Sequence, residues 1–229
     1  MVPDDGETHQ GAFDIALIRS VPNMIMMAPA SAREIQLFLE WAVNRKAPVV
    51  LRHPKTSCPS EQGAFALPVE EGRGVLLRCH DVVASESASL PDTQAPLLIV
   101  CTGGIFSEAL ATARNLVLHN ILVDIYNLRF IKPIDKEAIV KAVMDTRRII
   151  TVEDHTVIGG LGSAVAEVVV ESGKGCAFKK LGVQDTFAPI GLHEDIMSYL
   201  GIDSNGIIEA VREVMKADFE EDNDWDDEF

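Results

Sequence analysis

The order of apolar runs constrains this chain more than any other feature of its 229 residues. Met24-Ile25-Met26-Met27-Ala28-Pro29 is an unbroken apolar run closed by proline, which reads as a buried strand. Ser31-Ala32-Arg33-Glu34 then spells a capping box, with Ser at the N-cap and Glu at N3. The helix it opens carries Ile35, Leu37, Phe38, Leu39, Trp41 and Ala42 on a broad apolar face. Pro48-Val49-Val50-Leu51-Arg52 follows as a second short buried strand. Strand, helix and strand with short joins make a βαβ unit, and therefore a parallel sheet.

The same alternation returns further on. Leu97 to Cys101 is a buried strand that Thr102-Gly103-Gly104 turns into a helix from about Phe106 to His119. The spacing of those glycines matches neither the dinucleotide nor the P-loop pattern, so a tight structural turn is expected. Ile121 to Ile125 and Arg148 to Val152 read as strands, with a helix between them that Asp135 would cap. Glu153-Asp154-His155 reads as a polar loop, since no second pair of donors stands at metal-ligand spacing. Gly159-Gly160-Leu161-Gly162-Ser163 opens a small-residue helix over Ala164 to Val170. Phe178 to Leu181 is the next strand, and two helices follow near Glu194 to Leu200 and Asn205 to Lys216. The expectation is helices packed about a mainly parallel sheet.

Between the two blocks, Thr56 to Pro96 is rich in Pro, Gly and Ser and reads as a linker with one strand, Gly74 to Cys79, and an exposed loop, Ser85 to Gln94. The organisation expected is thus 1–56, a linker over 57–96, a domain over 97–217 and an acidic tail over 218–229. That tail, from Asp218 to Glu228, holds eight carboxylates and no Lys or Arg, about half of the net charge of -15. It reads as a solvated end, with Trp225 and Phe229 as the residues a contact would use. A charge of that sign argues against nucleic acid or an anionic membrane as partner. No run approaches the roughly 20 apolar residues of a membrane span, and the amino terminus lacks a secretory pattern. Cys58, Cys79, Cys101 and Cys176 show no CxxC spacing and read as reduced thiols in the cytoplasm, Cys101 as a small core residue.

Two stretches carry candidate chemistry. Asp5-Gly6-Glu7-Thr8-His9-Gln10-Gly11-Ala12-Phe13-Asp14 sets an imidazole and flanking carboxylates between two glycines. His9 is the natural acid–base group there. Arg52-His53-Pro54-Lys55 puts cations at the carboxyl end of a strand, where open α/β sheets bind ligands, and cations there suit a phosphate.

The first stretch, continued by Ile18-Arg19-Ser20-Val21-Pro22-Asn23, resembles the active-site loop of the 1-deoxy-D-xylulose-5-phosphate synthases. These are thiamine-diphosphate enzymes of the transketolase superfamily. Asn127-Leu128-Arg129-Phe130-Ile131-Lys132-Pro133-Ile134-Asp135 looks like a further hallmark of those synthases. Thr151 to His155 with Gly159 to Val165 is similar to transketolases at large. Leu181-Gly182-Val183-Gln184-Asp185-Thr186-Phe187 resembles the closing strand and loop, with Gln184 in place of the usual proline. The resemblance runs from the first residues to about Lys216. It implies the rear part of a transketolase-like pyrimidine-binding domain, followed by a transketolase C-terminal domain, a three-layer α/β sandwich.

By that resemblance His9 is the catalytic residue, moving protons around the acceptor carbonyl, and Asp5 holds an acceptor hydroxyl or orients His9. Lys55 contacts the acceptor phosphate, and Arg52 is expected with Asp5 and Lys55 among the substrate-binding residues, in support rather than catalysis. The family motif at this place is Arg-aromatic-Pro-Arg-Gly, and here Lys55 replaces its second arginine and Thr56 its glycine. Lysine keeps the charge and loses the planar fork that grips phosphate. Thiamine diphosphate and Mg2+ serve the complete enzyme. The diphosphate-binding region and the glutamate that protonates the cofactor belong to parts of the family enzyme that these residues do not match. The chain alone is therefore expected to bind neither and to be inactive. The partners expected are further copies of the chain or a chain carrying the missing regions. The alternatives are the C-terminal subunit of a two-chain transketolase and a non-catalytic remnant used for association.

Overall fold

The computed structural model describes residues 1–2, 4–55, 67–83 and 95–217. Thr56, Cys58, the loop expected over 85–94 and the acidic tail lie outside the described residues.

Among the described residues, eight strands form two sheets. In the first block, α1 (Asp14–Arg19) precedes β1 (Ile25–Met27), α2 (Ala32–Ala42) and β2 (Val49–Leu51). β1 and β2 pair in parallel, Ile25 opposite Val49 and Met27 opposite Leu51, as the βαβ reading requires. The Ser31 hydroxyl caps α2 by accepting from the Glu34 amide. Glu34 does not return the bond to Ser31: its carboxylate accepts from the Ala30 amide at 2.7 Å instead.

The second sheet contains β3 (Val75–Leu77), β4 (Leu98–Cys101), β5 (Asp124–Asn127), β7 (Arg148–Thr156) and β8 (Ala177–Val183), ordered β3-β5-β4-β7-β8. All its pairings are parallel except β3 with β5. α4 (Phe106–Val117) and α8 (Ser204–Val214) pack on one face. α5 (Lys136–Thr146) and α6 (Leu161–Glu171) pack on the other, giving two apolar layers about the sheet. Asp135 caps α5 by accepting from the Ala138 amide, and Cys101 is fully buried in the sheet. Gly103, at φ +59°, makes the turn after β4 in the left-handed conformation that glycine adopts without strain. α3 (Cys79–Val83) and α7 (His193–Tyr199) complete the described α-helices.

Three features depart from the sequence reading. The strand expected over 121–125 lies at Asp124–Asn127, because the Ile121 amide donates back to the Leu116 carbonyl to close the end of α4. Glu153, Asp154 and His155 are not a loop: they continue β7 and are buried. The third departure is β6 (Phe130–Lys132), which no periodicity announced. It leaves the second block and pairs antiparallel with β1, giving the order β2-β1-β6. β1 thereby gains a neighbour on each side, and among the described residues β2 and β6 are the edges.

Charge reinforces this junction. Arg129, just before β6, donates through Nε to Glu34 Oε1 at 2.5 Å, and both side chains are essentially excluded from water. Asn127 Nδ2 also donates to the Glu34 carboxylate, and Arg129 Nη1 donates to the carbonyls of Leu67 and Pro68 at 3.1 Å each. A buried charge stripped of its partner costs about 3–5 kcal/mol. Arg129→Met is therefore expected to lower the unfolding free energy by that order, read from urea titration. Adding Glu34→Gln should recover part of the loss, since the amide still accepts from Ala30 and leaves no unpaired charge.

Candidate functional site

The 5–14 stretch is a loop whose tip faces water and whose far end is locked into the protein. Gly6 and Gly11 have φ of +93° and +70°, a left-handed conformation that glycine adopts without strain. His9 is exposed at the tip. Its amide donates to the Gly6 carbonyl at 2.9 Å, and its Nδ1 lies 2.9 Å from the Thr8 hydroxyl. Gln10, the next residue, is 1 % exposed and donates through Nε2 to the Pro189 carbonyl. The Ala12 carbonyl accepts from the Thr156 amide at the end of β7.

Asp5 and Lys55 meet. Lys55 Nζ donates to Asp5 Oδ1 at 2.8 Å and lies 3.8 Å from Asp4 Oδ2. The hydrogen bond that Lys55 donates to Asp5, helped by the charges of both carboxylates, raises the lysine above its ordinary value. Both partners are largely in solvent. The pair thus holds the loop to the end of β2 by a contact that an arriving anion would compete for.

Arg52 is placed differently from Lys55. Its guanidinium is buried, and each of its nitrogens has a partner. Nε donates to both oxygens of Asp14 at 3.0 Å, Nη1 to Asp154 Oδ1 at 2.6 Å, and Nη2 to the carbonyls of Gly11 and Asp154. Desolvation works to lower the arginine, and the charges of Asp154 and Asp14 more than reverse it. For Asp154, burial alone would raise the carboxyl. Arg52 and then the Met1 amino group, which also contacts it, hold it well below the usual carboxylate range.

The neighbours of Asp154 in β7 are committed in the same way. His155 Nε2 accepts from the Ile15 amide at 3.0 Å and the Ala16 amide at 3.3 Å, so the hydrogen resides on Nδ1, which donates to the Thr156 carbonyl at 2.8 Å. Glu153 accepts from the Leu161 and Gly162 amides at 2.6 and 2.8 Å, capping α6. A β-carbon on Gly160 would collide with the Glu153 carboxylate, which explains the glycine there.

The structure therefore brings Asp5 to Lys55, and Arg52 to Asp14 and Asp154. Among the described residues the His9 ring has no further side-chain bond. Sequence reasoning passed over Asp14, Asp154 and His155. A signal was present: three ionisable residues continue the apolar run Ile149-Ile150-Thr151-Val152 directly, and a strand so buried holds polar groups only where partners exist.

The family described as transketolase, C-terminal domain, matches residues 88–207, and the transketolase pyrimidine-binding domain matches residues 1–61. The chain belongs to the transketolase C-terminal domain family. Curated relatives include the 1-deoxy-D-xylulose-5-phosphate synthase of Treponema pallidum, 38% identical over 88% of this chain and 30% of its own length. That of Heliobacterium modesticaldum is 34% identical over 95% of this chain and 32% of its length. The chain thus spans about a third of the curated relatives it matches. A solved structure titled as a split gene transketolase, inactive beta4 tetramer, superposes with a TM-score of 0.77 at 30% identity, covering 91% of this chain and 63% of that one. The mixed α/β architecture, a pyrimidine-binding part followed by a transketolase C-terminal domain, agrees with the sequence reading.

Complete enzymes of this kind depend on thiamine diphosphate and a metal. Among the described residues of this transketolase-family chain, no group of three or more His, Cys, Asp or Glu side chains is arranged to hold a metal ion. The buried carboxylates are already spent on Arg52, Arg129, Arg78 and backbone amides. The described residues therefore do not by themselves fit a magnesium diphosphate. No helix of the described residues is long and apolar enough to cross a membrane.

The depressed Asp154 carboxyl has a consequence in acid. Its folded value lies below the unfolded one, so the unfolded chain binds the extra proton and stability rises with pH across that interval. The contribution is complete above about pH 5 and is lost progressively as pH falls below the unfolded carboxylate value near 4. Asp154→Asn should lower stability at pH 7 by about 3 kcal/mol. It should also flatten the acid limb of stability against pH by up to about 1.4 kcal/mol per unit. Urea titrations from pH 2 to 7 read both effects.

Proposed function

We propose that these 229 residues are the C-terminal part of a thiamine-diphosphate-dependent 1-deoxy-D-xylulose-5-phosphate synthase. Such an enzyme joins pyruvate to glyceraldehyde 3-phosphate, consuming a proton and releasing carbon dioxide. The observation that carries this reading is the 38% identity to the Treponema synthase across 88% of the chain. In it, residues 1–56 contribute the rear of the pyrimidine-binding domain, 57–96 a linker and 97–217 the C-terminal domain. The cofactor and its magnesium are held by regions that these residues do not match. When bound, the cofactor supplies the carbanion chemistry.

This chain's own residues serve the acceptor. His9 delivers a proton to the acceptor carbonyl oxygen as the new carbon–carbon bond forms. Asp5 holds an acceptor hydroxyl or orients His9, and Lys55 meets the phosphate as a point charge in place of the family's arginine fork. Arg52 supports the site. The chain alone turns nothing over and acts, in the cytoplasm, with further copies or with a chain carrying the remaining regions. The exposed apolar side chains of Leu17, Ile158 and Phe187, which line one groove, and the edge of β2, unpaired among the described residues, support such assembly. The C-terminal subunit of a two-chain transketolase is the second reading, favoured by the similarity to the split-gene transketolase.

The test supplies pyruvate, glyceraldehyde 3-phosphate, thiamine diphosphate and magnesium to the chain alone and to the chain co-purified with the remaining regions. Only the second should release carbon dioxide, and His9→Ala should lower that rate by about 10²–10⁴-fold. Ketol transfer between sugar phosphates without carbon dioxide would favour the transketolase instead. Light scattering of the isolated chain should show association, and a monodisperse monomer would count against the assembly.

A further inference from the structure

The loop that presents His9 changes character within one residue. His9 is exposed, whereas Gln10 is 1 % exposed and Ala12 is 3 % exposed. No helix or strand holds residues 5–13, and glycines at 6 and 11 give the main chain its turns. A loop of this composition keeps its tip in one place only if something fixes its ends.

Arg52 is that fixture by geometry. One planar guanidinium touches the loop at two points, the Gly11 carbonyl through Nη2 at 3.2 Å and the Asp14 carboxylate through Nε at 3.0 Å. Its remaining contacts go to Asp154, through the carboxylate at 2.6 Å and the carbonyl at 3.1 Å. Asp154 sits within β7, and Arg52 directly follows β2, its amide donating to the Met27 carbonyl in β1. The loop is thereby tied to both sheets through one side chain. A lysine would keep the charge and reach a single point.

We infer that Arg52, backed by Asp154, is a positioning residue that fixes the main chain immediately after His9 and so sets where the imidazole stands. Its link to catalysis rests on the reaction proposed above. The mechanical part does not. Arg52 acts through the loop and leaves the acceptor to Lys55 and Asp5.

Hydrogen exchange on the full chain separates this role from general stabilisation. The His9 amide reports the bond to Gly6, the Thr156 amide the bond to Ala12, and the Val2 amide the bond to Gln10. In Arg52→Lys these three should exchange faster by at least ~10-fold more than the amides of Val100 in β4 and Leu110 in α4, which report global opening. Asp154→Asn, which keeps the size and removes the charge that backs Arg52, should add the same loop excess on top of its global loss, and serves if the lysine variant does not fold. Equal acceleration everywhere, or none at the loop, would overturn the inference. In the co-purified enzyme, Arg52→Lys should lower kcat and leave the KM for pyruvate unchanged. Combined with His9→Ala it should cost no more than His9→Ala alone. Additive losses would show that Arg52 does not work through His9. A parent enzyme without turnover would sink the assigned reaction, and the exchange pattern would still decide the positioning role.

Discussion

An arginine that follows β2 and an aspartate within β7 meet out of water, and neither could remain there alone. Arg52 and Asp154 are 7% and 5% exposed at their side chains, 102 residues apart in the chain, and joined at 2.6 Å. Taking two such charges from water costs several kcal/mol each, and the contact holds only because each guanidinium nitrogen has an acceptor. Glu34 and Arg129 repeat the arrangement where β1 meets β6. The first fifty-five residues are thus no appended unit. They are bound to the second block by a shared sheet and by ion pairs whose halves come from different blocks, Arg52–Asp154 and Glu34–Arg129 being the buried side-chain pairs.

Much of this was legible in the residues. The βαβ unit, the Ser31 and Asp135 caps and the alternation of strands and helices follow from apolar period and local hydrogen-bonding chemistry. What was not legible depends on partners distant in sequence. β6 is three residues long, and its pairing with β1 is dictated by Met26 and Met27 more than a hundred positions earlier. Glu153, Asp154 and His155 looked like a loop because polar residues normally leave a strand. They stay in β7 because α6, Arg52 and α1 supply the groups they need. Glu34 fits a local capping pattern on paper, and a buried arginine draws it elsewhere.

At the candidate site, the residues of one motif divide by environment. The two cations of Arg52-His53-Pro54-Lys55 read alike in sequence. The first is enclosed and spends its donors on protein groups, while the second is in solvent and holds one carboxylate of the His9 loop. A lone exposed pair of that sort contributes little to stability and exchanges partners readily. The contrast gives the motif a fixed end and a labile end, with the imidazole-bearing loop tied to both.

The pairing of β1 with β6 also dictates an order of events at the ribosome. When Leu51 has been made, β1 has one neighbour and an open side, and the charge on Arg52 has no burial site. The strand that closes the sheet is Phe130–Lys132, and Asp154 follows it by about twenty residues. At roughly 5–20 residues per second, the 102 positions from Arg52 to Asp154 take about 5–20 s to synthesise. Until the Phe130–Lys132 strand is made, Met26, Met27 and Phe38, all destined for complete burial, lack the Phe130 and Ile131 side chains of their clusters. The packing of the first βαβ unit is thus completed only from later in the chain.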